Sequence, residues 1–93
     1  MLGMKKGMSN KEVADLLEMV AAAFEIKDED FFRVRAYRNA AASIEHLSSQ
    51  LKDVWDAGKL EEIPGVGPSL AQHLDELIRT GRVKHFEQEV KGL

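Results

Sequence analysis

Two glycines one residue apart, in Pro64-Gly65-Val66-Gly67-Pro68, are the residues of this chain best placed to meet another molecule through the backbone. Glycine lets a chain turn tightly and come close to a ligand. The unpaired N–H groups at the start of a following helix point outward with the positive end of its dipole. A phosphate oxygen suits such a site, which grips backbone and ignores base identity, so the expected consequence is sequence-independent binding of DNA. Taken alone, Gly-Val-Gly is better explained by a tight helix–helix connection. The flanking apolar residues Leu60, Ile63, Val66, Ala71 and Leu74 complete a helix-hairpin-helix pattern at about residues 59–81. A dinucleotide-binding glycine loop is excluded because no strand pattern precedes it. The groups proposed to face the DNA backbone are those of Gly65, Val66, Gly67, Ser69 and Leu70.

Arginine and tyrosine offer the second piece of chemistry. Arg33 and Tyr37 are one helical turn apart, so a helix carries a guanidinium and a phenol on one face. The competing readings are a core position for Tyr37 and, for Arg33, an ion pair with Asp28, Glu29 or Asp30. Arg35 and Arg38 fall on the opposite, solvent face and would attract DNA at long range or simply be solvated. Arg79, Arg82 and Lys84 follow the hairpin's second helix and suit the negative end of its dipole.

Helices must position these groups. Ser9 and Glu12 have capping-box spacing, and Val13, Leu16, Leu17, Val20 and Phe24 recur at three- and four-residue steps, predicting a helix over residues 10–25. A second helix is expected over 31–47, capped by Asp28, Glu29 or Asp30. Its wheel groups Phe32, Val34, Ala36, Tyr37, Ala40, Ala41, Ile44 and Leu47 on a broad apolar arc, with Arg33 near the arc's middle. Ser48 or Ser49 could cap a short third helix through Leu51, Val54 and Trp55 that Gly58 ends, and residues 59–63 form another short turn. Pro68 suits a first helical position, with Leu70, Ala71, Leu74, Leu77 and Ile78 as an apolar stripe ending at Thr80-Gly81. Val83, Phe86 and Val90 predict a last partial helix. No segment alternates as a strand would, so the expected fold is all-α: a compact bundle of four to five short helices, forming one domain over residues 9–93 behind a disordered leader of residues 1–8.

Bulk properties narrow the function. The chain has 93 residues, 44% of them hydrophobic, with no apolar run long enough for a membrane span. It has no cysteine, which removes disulfides, thiolate zinc sites and cysteine nucleophiles. Thirteen Lys and Arg against sixteen Asp and Glu give a net charge of -3, so any nucleic-acid surface must come from the placement of charge. Without a signal or disulfides the default location is cytoplasmic, and no membrane partner is expected. The helical pattern is still under way at Lys91-Gly92-Leu93, as in a piece of something longer.

The stretch Phe32-Arg33-Val34-Arg35-Ala36-Tyr37-Arg38-Asn39-Ala40-Ala41, followed by Leu60 to Ala71 and then Leu77-Ile78-Arg79-Thr80-Gly81-Arg82-Val83, resembles the N-terminal, polymerase-beta-like domain of family X DNA polymerases. It is most similar to the bacterial and archaeal members, over nearly the whole chain. The resemblance implies binding to gapped or nicked DNA near a 5′-phosphate in base-excision or gap-filling repair. Arg33 and Tyr37 match the phosphate-binding positions, and Arg35, Arg38, Arg82 and Lys84 are auxiliary cations. Nucleotidyl transfer would belong to a separate downstream polymerase domain, so these residues alone are not expected to polymerise. Some members also carry a 5′-deoxyribose-phosphate lyase that works through a lysine Schiff base. Here that lysine's position holds His73, and a phosphate-binding lysine's position holds Ser69, leaving Lys84 as a weak substitute. No cofactor is required by the resemblance, although it implies a potassium or sodium ion held by the backbone carbonyls of Glu61, Ile63 and Val66. Two other functions compete: a lyase in its own right, and a protein interaction module, which the acidic Asp28-Glu29-Asp30 and Glu61-Glu62 runs would favour.

Overall fold

A computed structural model describes residues 8–27 and 30–91, which form five α-helices and one short 3₁₀ turn with no strand among them. In chain order they are α1 (Asn10–Ile26), α2 (Phe31–Glu45), α3 (Leu51–Asp56), the 3₁₀ turn (Leu60–Glu62), α4 (Pro68–Thr80) and α5 (Lys84–Lys91). The all-α expectation holds. Most of the leader, residues 1–7, and two of the predicted cap residues, Asp28 and Glu29, lie outside the described residues. Met8, assigned to the leader, already packs against the core.

The α1 helix is the central element and packs against both α2 and α5. It begins with the predicted capping box: Ser9 Oγ accepts from the Glu12 amide at 3.0 Å, and the Ser9 amide donates to Glu12 Oε1 at 2.8 Å. Val13, Leu17, Val20, Ala21 and Phe24 make its buried stripe. Satisfying the first amides of a helix in this way is worth about 1 kcal/mol. Burying that stripe contributes more, at about 1.5–3 kcal/mol for each large apolar side chain.

The second helix departs from the predicted wheel. Its buried residues are Val34, Tyr37, Ala40, Ala41 and Ile44, whereas Phe32 is 77% exposed and Ala36 is also exposed. The buried face is narrower than the predicted arc. Only the narrower stripe centred on Tyr37, Ala41 and Ile44 meets α1, and Arg33 lies at its exposed edge rather than its middle. The cap is Asp30, whose carboxylate accepts from the Phe32 amide at 2.8 Å, and the helix stops at Glu45 instead of reaching Leu47.

The α3 helix is capped at a distance. Its N-cap residue is Gln50, not Ser48 or Ser49, and Gln50 makes no capping side-chain bond. Asn10 on α1 accepts from the Leu51 amide and donates to the Ser49 carbonyl, both at 2.8 Å. One side chain thus satisfies the start of α3 and ties it to α1. Gly58 ends α3 at φ +71°, its amide donating to the Trp55 carbonyl and that of Lys59 to the Val54 carbonyl, a Schellman closure. Trp55 Nε1 then donates to Asp75 at 2.7 Å, fastening α3 to α4.

Candidate nucleic-acid interface

Residues 63–66 make a tight turn closed by the Val66 amide donating to the Ile63 carbonyl at 3.0 Å. Pro64 takes the first central position and Gly65 the second at φ +90°, the arrangement of a type II turn. A Cβ on Gly65 would come within 3.0 Å of the Ala40 amide nitrogen and 3.3 Å of its Cα. Gly65 therefore serves two internal needs, a left-handed backbone and a seat against α2, where alanine is the local side chain. Ile63 and Val66 flank the turn as buried anchors.

Gly67 has no such internal need. Its backbone is extended at φ -90° and ψ -176°, which any residue adopts, and a Cβ there would meet nothing within 4 Å. It is the N-cap of α4 and supplies no capping side chain. The first internal bond of α4 is from the Ala71 amide to the Gly67 carbonyl at 2.9 Å. Among the described residues the amides of Gly65, Gly67, Ser69 and Leu70 have no acceptor, while Pro68 has no N–H to offer. The exposed Gly67-Pro68-Ser69 edge thus presents the free amides of Gly67 and Ser69 at the positive end of a 13-residue helix. Of the five predicted backbone-binding residues, Val66 is placed differently, since its amide closes the turn and its side chain is buried.

The basic residues divide into two sets. Arg38 pairs with Glu18 at 3.5 Å and Glu25 at 3.1 Å on α1. Arg82 is held by both carboxylate oxygens of Glu87 at 2.7 and 2.8 Å, and Arg79 by Asp75 at 2.8 Å. These three act first within the fold. Arg33 and Arg35 make no ion pair among the described residues; their guanidiniums lie 5.3 Å from the Phe24 ring centroid and 5.6 Å from that of Phe31. Lys84 is exposed at the start of α5, where its backbone amide donates to Glu76 at 3.1 Å.

Tyr37 is a core aromatic that remains next to Arg33. Its ring is 7% exposed and packs edge-on against Phe24 at 5.2 Å and Phe86 at 5.8 Å. Burial pushes its phenol above the ordinary value, the nearby Arg33 charge opposes that, and Glu89 on α5 adds to it. The phenol therefore stays protonated at neutral pH and can offer its O–H as a neutral donor. Glu89 is held by Lys27 at 3.3 Å, a link between α1 and α5 that no sequence pattern announced.

Helix geometry, the glycine turn and the row of free amides agree with what similarity shows. Residues 8–83 match the family model for a helix-hairpin-helix domain. The chain belongs to that family. It is also 30% identical over 80 residues to the DNA polymerase/3′-5′ exonuclease PolX of Bacillus subtilis (strain 168), a match covering 86% of this chain and 14% of the relative. The resemblance to family X polymerases drawn from the two motifs is supported by that match. No described helix is long and apolar enough to cross a membrane.

Proposed function

We propose that this helix-hairpin-helix domain binds DNA without reading its sequence, and that it holds gapped or nicked DNA near a 5′-phosphate as the end-binding module of a family X repair polymerase. The observation that carries the reading is Gly67: a glycine with ordinary dihedral angles and open space at its Cβ, beside unpartnered amides. The fold gives it no reason to be glycine beyond a tolerated cap, whereas close approach of a phosphodiester does. The amides of Gly67, Ser69 and Leu70 hold one phosphate. Arg33 supplies charge to the terminal phosphate and Tyr37 a neutral hydroxyl.

The carbonyls of the hairpin have the donor chemistry for potassium or sodium. Those of Glu61 and Val66 accept no hydrogen bond among the described residues, and that of Ile63 accepts only one. Such an ion would lessen the repulsion between the exposed Glu61 and Glu62 and an arriving phosphate.

The test is a titration of a short gapped duplex with and without its 5′-phosphate, followed by amide chemical shifts. Shifts at Gly65, Gly67, Ser69 and Leu70 with both duplexes, and at Arg33 and Tyr37 only with the phosphate, are expected. Equal affinity and equal shifts for the 5′-hydroxyl duplex would remove the end-binding reading and leave a general clamp; no binding at low salt would remove both. With these two phosphates held, raising salt from about 50 to 200 mM should weaken binding roughly 12-fold.

A further inference from the structure

Beyond Arg33 and Tyr37, the aromatic row continues to a pair of histidines. Phe86 lies against Tyr37 on one side and against His73 on the other, at 5.2 Å. The His73 ring is stacked on His85 with centroids 5.0 Å apart and planes only 2° from parallel. Both imidazoles are half-buried, and neither makes a hydrogen bond among the described residues. Two ring faces are thus satisfied by packing while the ring nitrogens are not satisfied by protein. From this arrangement, and resting on the DNA-end reading above, we infer that His73 and His85 form a proton-dependent site for a phosphate monoester, continuous with Arg33 and Tyr37 across Phe86.

Charge decides when the site works. Two stacked imidazoliums repel each other, so without a ligand the second proton is resisted. Burial lowers the proton affinity of His73 most, the His85 charge lowers it further, and Glu76 on α4 partly restores it. On the far side of Phe86, Arg33 of α2 and Glu89 of α5 are the charges that bear on Tyr37, with Lys27, the C-cap of α1, paired to Glu89. Among the described residues the carboxylate whose charge bears on His73 is Glu76, which also accepts the Lys84 amide. A phosphate monoester brings up to two negative charges and several acceptor oxygens. It would relieve the repulsion and accept from both rings, so binding takes up protons and mild acid tightens it. A phosphodiester, with one charge and no free end, does so less.

The experiment follows the imidazole Hε1 resonances against pH on the intact chain, alone and with a 5′-phosphorylated oligonucleotide, its 5′-hydroxyl counterpart, or inorganic phosphate. The exposed His46, whose Nδ1 lies 2.8 Å from the Ala42 carbonyl at the end of α2, is the internal control. The expected result is an upward move of the His73 midpoint by about one unit with the phosphorylated oligonucleotide, equivalent to roughly tenfold tighter binding by the protonated form. Inorganic phosphate should cause a move of the same sign, His46 should not respond, and His85→Asn should shrink the effect. Because the terminal phosphate itself titrates near pH 6, the imidazole signal rather than affinity is the deciding readout. A His73 midpoint unmoved by either phosphate, or moved equally by the 5′-hydroxyl oligonucleotide, would overturn the site. Hairpin amides that ignore DNA while inorganic phosphate still moves His73 would instead count against the DNA reading alone.

Discussion

Replacing Gly65 and Gly67 separately by alanine should separate folding from binding. At Gly65, φ +90° costs an L-residue about 1–2 kcal/mol, and the new methyl would press on the Ala40 backbone at 3.0 Å. Together these should lower stability by about 2–4 kcal/mol, a large part of the roughly 5–15 kcal/mol typical of a domain. At Gly67 the backbone is ordinary and the space open, so Gly67→Ala should cost no more than about 1 kcal/mol, the usual scale of an N-cap change. Its effect should appear in binding, because the methyl would project into the open space next to the Gly67 amide and hinder the close approach of a phosphate. Loss of that contact should weaken DNA binding at least tenfold, about 1.4 kcal/mol. Denaturant unfolding and fluorescence anisotropy with a gapped duplex measure the two quantities. A Gly67→Ala protein that binds DNA like the parent would refute the free-amide argument. A Gly65→Ala protein of unchanged stability would refute the packing of the turn on α2.

Other substitutions test the division of the charges. Arg33→Ala should weaken binding to the 5′-phosphorylated duplex more than to the 5′-hydroxyl one, whereas Arg38→Ala should affect both equally and by less, since Arg38 is engaged by Glu18 and Glu25; titrations of the two duplexes decide it. Asp75 has its carboxyl held below the usual range by the hydrogen bonds from Trp55 and then Arg79, so its contribution is present above the ordinary carboxylate value and lost as pH falls through the lowered one. Acid unfolding should therefore begin at higher pH in the parent than is explained without Asp75, and Asp75→Asn should flatten that part of the curve. His73 works in the same direction at milder pH: with its folded value lowered, the unfolded chain takes up the proton first. Stability should be greatest above about pH 6.5 and fall below it, and His73→Asn should remove that slope in thermal unfolding series at fixed ionic strength.

The local elements were legible because their signals are local. The capping box at Ser9 and Glu12, Pro68 at the start of α4, and glycines at positions 58 and 81 each act within a few residues, so spacing alone marks them. The hairpin was legible for the same reason, down to the glycines and the apolar anchors around them. What the linear pattern could not supply was which part of an apolar arc finds a neighbour. Phe32 and Ala36 sit on the predicted face of α2, yet they are exposed because only the stripe through Tyr37, Ala41 and Ile44 meets α1. Likewise, no spacing rule joins Asn10 to the Leu51 amide, Trp55 to Asp75, or Lys27 to Glu89. Those partners are 20 to 62 residues apart in sequence, and only the packed helices bring them together.

The two glycines show the boundary most clearly. Sequence alone determined that the turn between two helices is glycine-rich, that an all-α bundle surrounds it, and that the chain offers amides and arginines to a polyanion. Only tertiary structure decided that Gly65 is required by the fold, because α2 passes within contact of it, while the Cβ direction of Gly67 opens to solvent. It also decided that Arg38 and Arg82 are occupied by carboxylates, whereas Arg33 meets none among the described residues, and that His73 finds His85. Backbone conformation and helix ends are set by neighbours in the chain, whereas contact and charge pairing are set by neighbours in space.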